Sequence, residues 1–253
     1  MYIMVTILKL QSTTISIREI YLKYLKIFAI PSLILFIISL ILSNRILSLF
    51  SIVISIPFLY YSNKYYFFMI GGKGEQKVTE ELLKLPDNYY LLNDINIKLH
   101  SKQMQPIQID HVILCENAIF CLETKNWSGS IIGKKTGSWI RRPRQRSRKK
   151  SIYNNPIIQT HRHIGALEKI IELNKREIFK FNENGKELRI VGIIVFTHPK
   201  MKLKCPKRID VEIIQFQENK LLDYIQSYKD KLYAIEEIQK IGKLLVTIDE
   251  SCR

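Results

Sequence analysis

The chain opens with two long apolar runs and continues with shorter ones of several periods. Ile27–Ser43 carries no charge over 17 residues, Asn44-Arg45 interrupts, and Ile46–Tyr61 is again uncharged over 16. At about 1.5 Å per helical residue each run covers about 24–26 Å, slightly under a hydrocarbon core of roughly 30 Å. Pro31 and Pro57 sit near run ends, and Tyr60, Tyr61, Tyr65 and Tyr66 gather at the exit as interfacial aromatics do. The pattern predicts an N-terminal transmembrane helical hairpin within residues 1–70, with helices about 27–43 and 46–61. The alternative, a buried helical hairpin in a soluble protein, needs a larger core than the rest of the chain offers. Lys9, Arg18, Lys23 and Lys26 precede the first run, while Lys64 and Lys73 follow the second. By the positive-inside rule both flanks then lie in the cytoplasm, which puts the chain in the cell membrane with its folded domain on the cytoplasmic side.

Beyond the runs the periods shorten. Gly71-Gly72-Lys73-Gly74 reads as a flexible joint, and Glu75–Leu85, with Val78, Leu82 and Leu85 at helical spacing, as a first helix stopped by Pro86-Asp87-Asn88. Tyr89–Leu99 is a strand candidate. Pro156 opens a helix with Ile157, Ile158, His161, Ile164, Leu167 and Ile170 along one side. Leu188–Thr197 is nearly continuous apolar strand, Ile209–Phe216 a shorter one, and Asn219–Val246 carries helical spacing again. The boundaries that follow are an anchor over 1–70, a domain over 71–200, and a strand and helical extension over 201–253 that packs on the domain.

One stretch breaks its own pattern. Ile109–Lys125 is two apolar runs separated only by Glu116-Asn117, hence a β-hairpin, yet it holds Asp110, Glu123 and Lys125 where a buried strand has no charge. With Glu116 and Asn117 as the loop, Cys115 faces Ala118, Val112 faces Cys121, and Asp110 faces Glu123. Opposed residues have Cβ atoms roughly 4.5–5.5 Å apart, and like charges there destabilise a sheet. Lys125, on the same face as Glu123, offsets part of the repulsion; a hard divalent cation such as Mg²⁺ held by the two carboxylates would offset the rest. A one-residue bulge would turn Asp110 to the other face.

Charge widens the picture. The 253 residues include 39 Lys and Arg against 23 Asp and Glu, a formal charge of +16, which favours polyanionic partners, nucleic acid or anionic lipid. Nine of the basic residues fall between Lys134 and Lys150 with no acid among them. Trp139 inside that stretch offers a stacking surface among the phosphate-seeking Arg141, Arg142, Arg144, Arg146, Arg148, Lys149 and Lys150, a combination suited to nucleic acid. A solvated loop or one lying on lipid headgroups is the alternative. The four cysteines lack C-x-x-C spacing and read as reduced thiols. His111 points away from Asp110 and reads as packed, and His161 and His163 as structural or surface.

In order, the elements give αβββαβ, an α/β fold with a central mixed sheet flanked by helices. An Asp on one strand with Glu-x-Lys on the next resembles the PD-(D/E)xK nuclease superfamily. Five strings resemble the nuclease-related domain family more specifically: Gly71-Gly72-Lys73-Gly74-Glu75, Gln108-Ile109-Asp110-His111-Val112, Glu123-Thr124-Lys125-Asn126-Trp127-Ser128-Gly129, Asn155-Pro156-Ile157-Ile158-Gln159, and Val191-Gly192-Ile193-Ile194-Val195-Phe196.

That resemblance implies a nuclease-like core behind the membrane hairpin, with Asp110 and Glu123 as ligands of Mg²⁺ or Mn²⁺ and Lys125 orienting water or steadying charge on phosphate. Glu75 would add an acidic group, though an acid in a first helical turn also complements the helix dipole. Gln159 would contact metal-bound water or phosphate. The implied activity is divalent-metal-dependent hydrolysis of phosphodiesters, DNA before RNA, by nicking or endonucleolytic cleavage; domains of this fold often pair as a homodimer to cut both strands, and no specific dimer surface stands out in the sequence. The alternative is a catalytically silent module of the same fold that tethers nucleic acid to the membrane.

Overall fold

The computed structural model describes residues 6–9, 23, 25–42, 45–99, 105–142, 150–179, 188–206 and 210–252. The chain divides into two units, residues 12–73 and residues 1–11 with 74–253.

In the smaller unit a π-helical turn, Leu25–Ala29, leads into α1, Ile30–Ile41, and α2 begins at Arg45. The exposure of these helices is inverted. Leu33, Phe36, Leu40, Leu49, Phe50 and Ile52 are exposed, while Ser32, Ser39 and Ser51 are buried. Each of those serines returns its hydroxyl to the carbonyl three residues earlier, at 2.7–3.0 Å, so no hydroxyl is left needing water. Among the described residues no helix is long and apolar enough to cross a membrane. The helix α2 runs from Arg45 to Leu82, so Gly71–Gly74, expected as a flexible joint, is helical: no proline falls between Pro57 and Pro86, and each glycine weakens a helix by only about 1 kcal/mol.

The larger unit is built on a six-stranded mixed sheet. Its strands are β1 (Thr6–Lys9), β2 (Tyr90–Ile97), β3 (Ile107–Leu114), β4 (Ile119–Lys125), β8 (Ile190–Phe196) and β10 (Glu212–Gln215), adjacent in that order. The centre β2-β3-β4 is antiparallel, whereas β1-β2, β4-β8 and β8-β10 are parallel. Thr6–Lys9, within the segment assigned to the anchor, is therefore an edge strand of the domain sheet.

Strand alternation gives the sheet two apolar faces. Leu91, Ile113, Phe120, Leu122, Ile193 and Val195 pack with Val78 and Leu82 of α2 and with α5 (Lys220–Gln226). Leu92, Val112, Leu114, Ile119 and Cys121 pack with α3 (Pro156–Leu173) and α6 (Ile235–Cys252). A short α4, Lys175–Ile178, follows α3. Glu116 at the hairpin turn accepts hydrogen bonds from the N–H groups of Leu232 and Tyr233 at 2.7 and 2.9 Å, so the C-terminal extension pins the turn that sets the hairpin register.

A second, four-stranded sheet takes in part of the basic stretch, its flanks and the start of the C-terminal extension. It orders β7 (Ser151–Tyr153), β6 (Trp139–Arg142), β5 (Gly129–Ile132) and β9 (Met201–Lys204). Trp139 explains why. Its ring is fully buried, stacks at 6.0 Å on Phe196, and packs so close to Gly133 that a Cβ there would lie 2.8 Å from it. The apolar anchor outweighs the charges around it, and the expected stacking surface is instead the core of a sheet.

Candidate active site

The hairpin register is the one the two-residue turn dictates. Cys115 N–H donates to the Ala118 carbonyl at 3.2 Å, and Val112 pairs with Cys121 and His111 with Leu122. Regular pairing stops there. The Asp110 carboxylate turns onto the facing strand and accepts the Thr124 N–H at 2.7 Å, so Asp110 and Glu123 are brought together by a side chain capping backbone rather than by a ladder pair.

The irregularity has a partner on β2. Asp94 takes a left-handed backbone, φ +56°, and the inward positions change parity across it: Leu92 shares a face with Ile95 and Ile97, which a regular strand forbids. Its carboxylate accepts from Gln108. Asp94 belongs to the site and sequence reading missed it, although an acid inside an apolar strand is the same signal that marked Asp110.

Two close helix contacts bring the remaining groups in. A Cβ on Gly74 would lie 2.7 Å from Thr197 Oγ1 and 2.9 Å from Asn126 Cβ, so α2 approaches the ends of β4 and β8 only because that residue is glycine, and Glu75 follows it. A Cβ on Gly192 would lie 2.7 Å from Thr160 Cγ2, so glycine likewise lets α3 sit down on β8. At the start of α3 the Asn155 side chain accepts the Ile157 N–H at 2.9 Å, a normal N-cap. Gln159 and His163 follow one turn apart, on the side facing β4.

Lys125 joins these groups. Its ammonium donates to Glu123 and, at 3.2 Å, to Gln159 Oε1. His163 Nδ1 lies 3.4 Å from the other oxygen of Glu123. The stripe predicted for α3 is turned from the one observed: His161 is exposed and faces Asp210 at 3.2 Å, while His163 is buried. His111 is packed as expected, its Nδ1 2.8 Å from Asn93 Oδ1, and burial pushes its pKa down to about 3. Burial, helped by Arg162 and Lys125, lowers that of His163 to about 4.

Crowded carboxyl groups dominate the cluster, and burial and mutual repulsion push them toward the neutral form. Burial and the neighbouring Asp110 raise Glu123 to about 8, against the pull of Lys125. Burial, Asp110 and Asp94 raise Glu75 to about 7. Asp110 is raised as well, by burial first, opposed by Lys125 and the Thr124 N–H. Among the described residues no group of three or more His, Cys, Asp and Glu side chains is gathered to hold a metal ion. Two carboxylates are nevertheless a sufficient protein share for a cation that keeps its own waters. Asp110 and Glu123 fit that demand: Glu123 Oε2 is buried without a hydrogen-bond partner, and the pair is short of positive charge.

The residues expected to bind nucleic acid separate. Trp139 is buried and donates its Nε1–H to the Lys134 carbonyl at 2.9 Å. The Arg141 guanidinium is taken up by Ser128 and by the Tyr153 hydroxyl at 3.1 Å, so it braces the second sheet. Arg142 and Lys150 are exposed. Arg144, Arg146, Arg148 and Lys149 lie outside the described residues.

A mixed sheet flanked by helices, with acids on adjacent strands and a lysine two residues past one of them, defines a nuclease-like α/β core. The nuclease-related domain family matches residues 70–197, and the chain belongs to that family. It is 33% identical over 173 residues to an uncharacterized protein of Bacillus anthracis, covering 68% of this chain and 73% of the relative. No solved structure matches the chain.

Proposed function

We propose that the chain is a membrane-anchored, divalent-metal-dependent phosphodiesterase that cuts nucleic acid, DNA first. The observation that carries this reading is the convergence of Asp110, Glu123, Lys125 and Gln159, with Glu75 close enough to feel the Asp110 charge. Asp110 and Glu123 would hold Mg²⁺ or Mn²⁺, whose chemistry when bound is Lewis-acid polarisation of a phosphoryl oxygen and activation of water.

The chain's own groups do the rest. Lys125, fixed between Glu123 and Gln159, presents an ammonium to charge developing on the phosphate. Gln159 accepts from Lys125 through Oε1, which leaves its amide NH₂ as the donor for a phosphate oxygen. Glu75, raised to about 7, can hold or release a proton at neutral pH, the range in which proton transfer is most effective. A groove of about 440 Å³ beside Gln159, lined also by Ser138, Asn154, Ile158 and Arg162, gives a strand a path past these groups. The inverted exposure of α1 and early α2 supports the membrane part: apolar side chains facing outward with serines inside suit lipid rather than water. Cytoplasmic placement of the domain follows from the basic flanks.

The test is conversion of supercoiled plasmid by the full chain in Mg²⁺ or Mn²⁺ and in EDTA. Nicking that requires metal and is lost in Asp110→Asn is expected. An intact plasmid bound with a steep salt dependence would instead establish the silent tether.

A further inference from the structure

We propose that His163 is a positioning residue for Glu123: its ring carries the proton on Nδ1 and donates it to Glu123 Oε2, fixing the carboxylate from the side opposite Lys125. The inference rests on reading Glu123 as a metal ligand, and it adds a residue that neither the strand motif nor the early-helix Gln159 marks.

His163 is 0% exposed, and neither ring nitrogen has a hydrogen-bond partner among the described residues. A fully buried imidazole with both nitrogens idle is costly, since each unmet polar atom loses its water. The nearest remedy is in place: Nδ1 lies 3.4 Å from Glu123 Oε2, itself buried and unpartnered. The contact is long for a hydrogen bond, as contacts around a reacting centre often are before substrate arrives. The tautomer follows from what each nitrogen faces. With Glu123 ionised, as a metal ligand must be, a proton on Nδ1 meets a carboxylate oxygen and leaves Nε2 as a bare acceptor; a proton on Nε2 would bury an orphan donor and set two lone pairs against each other, the worse arrangement on both counts.

The fold builds this contact on purpose-made geometry. Gln159 and His163 are four residues apart on α3 and so lie on one side. Gly192 brings that helix down onto β8, next to β4. Through these two residues a single helix addresses both members of Glu123-x-Lys125: Gln159 takes the lysine and His163 the glutamate. A carboxylate oxygen accepts at two lone pairs, so a cation and His163 can share Oε2. Groups of this kind behind a ligand change metal affinity by about 10–100-fold when removed.

Two measurements test it on the full chain in detergent. Long-range ¹H–¹⁵N correlation of the metal-free protein at pH 9, where Glu123 is ionised, with the His163 signals assigned by their loss in His163→Leu, is expected to show the proton on Nδ1. A proton on Nε2 overturns the proposal. Mn²⁺ affinity, read from the paramagnetic signal of free Mn²⁺, is expected to fall about 10–100-fold in His163→Leu and to recover most of that in His163→Asn, whose amide N–H replaces Nδ1–H. A Leu variant that melts like wild type and binds Mn²⁺ equally well overturns it, as does an Asn variant no better than Leu. If His163→Leu fails to fold, the Asn variant and the tautomer decide. Wild type that binds Mn²⁺ but cuts nothing removes the nuclease reading and leaves the His163 result standing; the wrong tautomer in an active nuclease does the reverse.

Discussion

At the scale of single residues, the site is defined by carboxylates held where they do not want to be charged. Glu123 titrates near 4.5 when unfolded and about 8 when folded, so the folded state binds the extra proton between those values. By linkage, the stability Glu123 contributes is present below about pH 4.5 and is lost as pH rises through about 8. The metal-free protein should therefore melt at progressively lower temperature from pH 5 to pH 8. Glu123→Gln should flatten that dependence, and millimolar Mg²⁺ should raise the melting temperature most at the alkaline end. A wild-type melting temperature that climbs over this range would contradict the assignment. Asp110→Asn and Glu123→Gln should each abolish cleavage while DNA affinity, followed by fluorescence anisotropy, changes by less than about tenfold, because phosphate contacts carry most of the affinity. Asp110, Glu123 and Lys125 stood out in the sequence because charge inside an apolar run is a local signal, whereas Glu75 and Gln159 came only from the family resemblance. Asp94 and His163 escaped both, because their meaning depends on a backbone twist at φ +56° and on the rotation of α3 about its axis. Both are fixed by packing rather than by period.

At the scale of elements, glycine sets how closely the helices carry their groups. Gly74→Ala and Gly192→Ala each force a methyl to within 2.7 Å of a neighbour and should cost about 1–3 kcal/mol in denaturant unfolding, with activity falling further than stability because Glu75 and Gln159 move. The basic stretch divides along the second sheet. Trp139→Ala should lose about 3–5 kcal/mol of stability as a core truncation. Arg142→Ala and Lys150→Ala should leave the melting temperature unchanged while each lowers the salt slope of DNA binding by about one. That second sheet escaped the sequence reading because its strands are three or four residues long, too short for alternation to show. Nine basic residues masked Trp139, the largest of its apolar anchors. The hairpin, by contrast, was readable from its turn as far as the His111–Leu122 pair, since Glu116-Asn117 left a single economical turn and the C-terminal extension then fixes it in place.

At the scale of the whole molecule, the chain divides into two units of different surface character. Among the described residues, the helices from Ile30 to Ile56 present apolar side chains outward with serines inside, while the other unit holds the sheet and the acids. Placing Lys at Ile37, Leu40 and Ile52 together should move the chain from the carbonate-resistant membrane fraction to the soluble one, and should leave plasmid nicking by the detergent-solubilised protein intact. The central claim is that Asp110 and Glu123 hold a metal beside Lys125. Crystals of the full chain grown with Mn²⁺ and a short DNA duplex test it by anomalous diffraction. The account predicts an anomalous peak in contact with oxygens of both Asp110 and Glu123 and with a DNA phosphate; a peak at other residues, or DNA seated there with no peak at the two carboxylates, would contradict it.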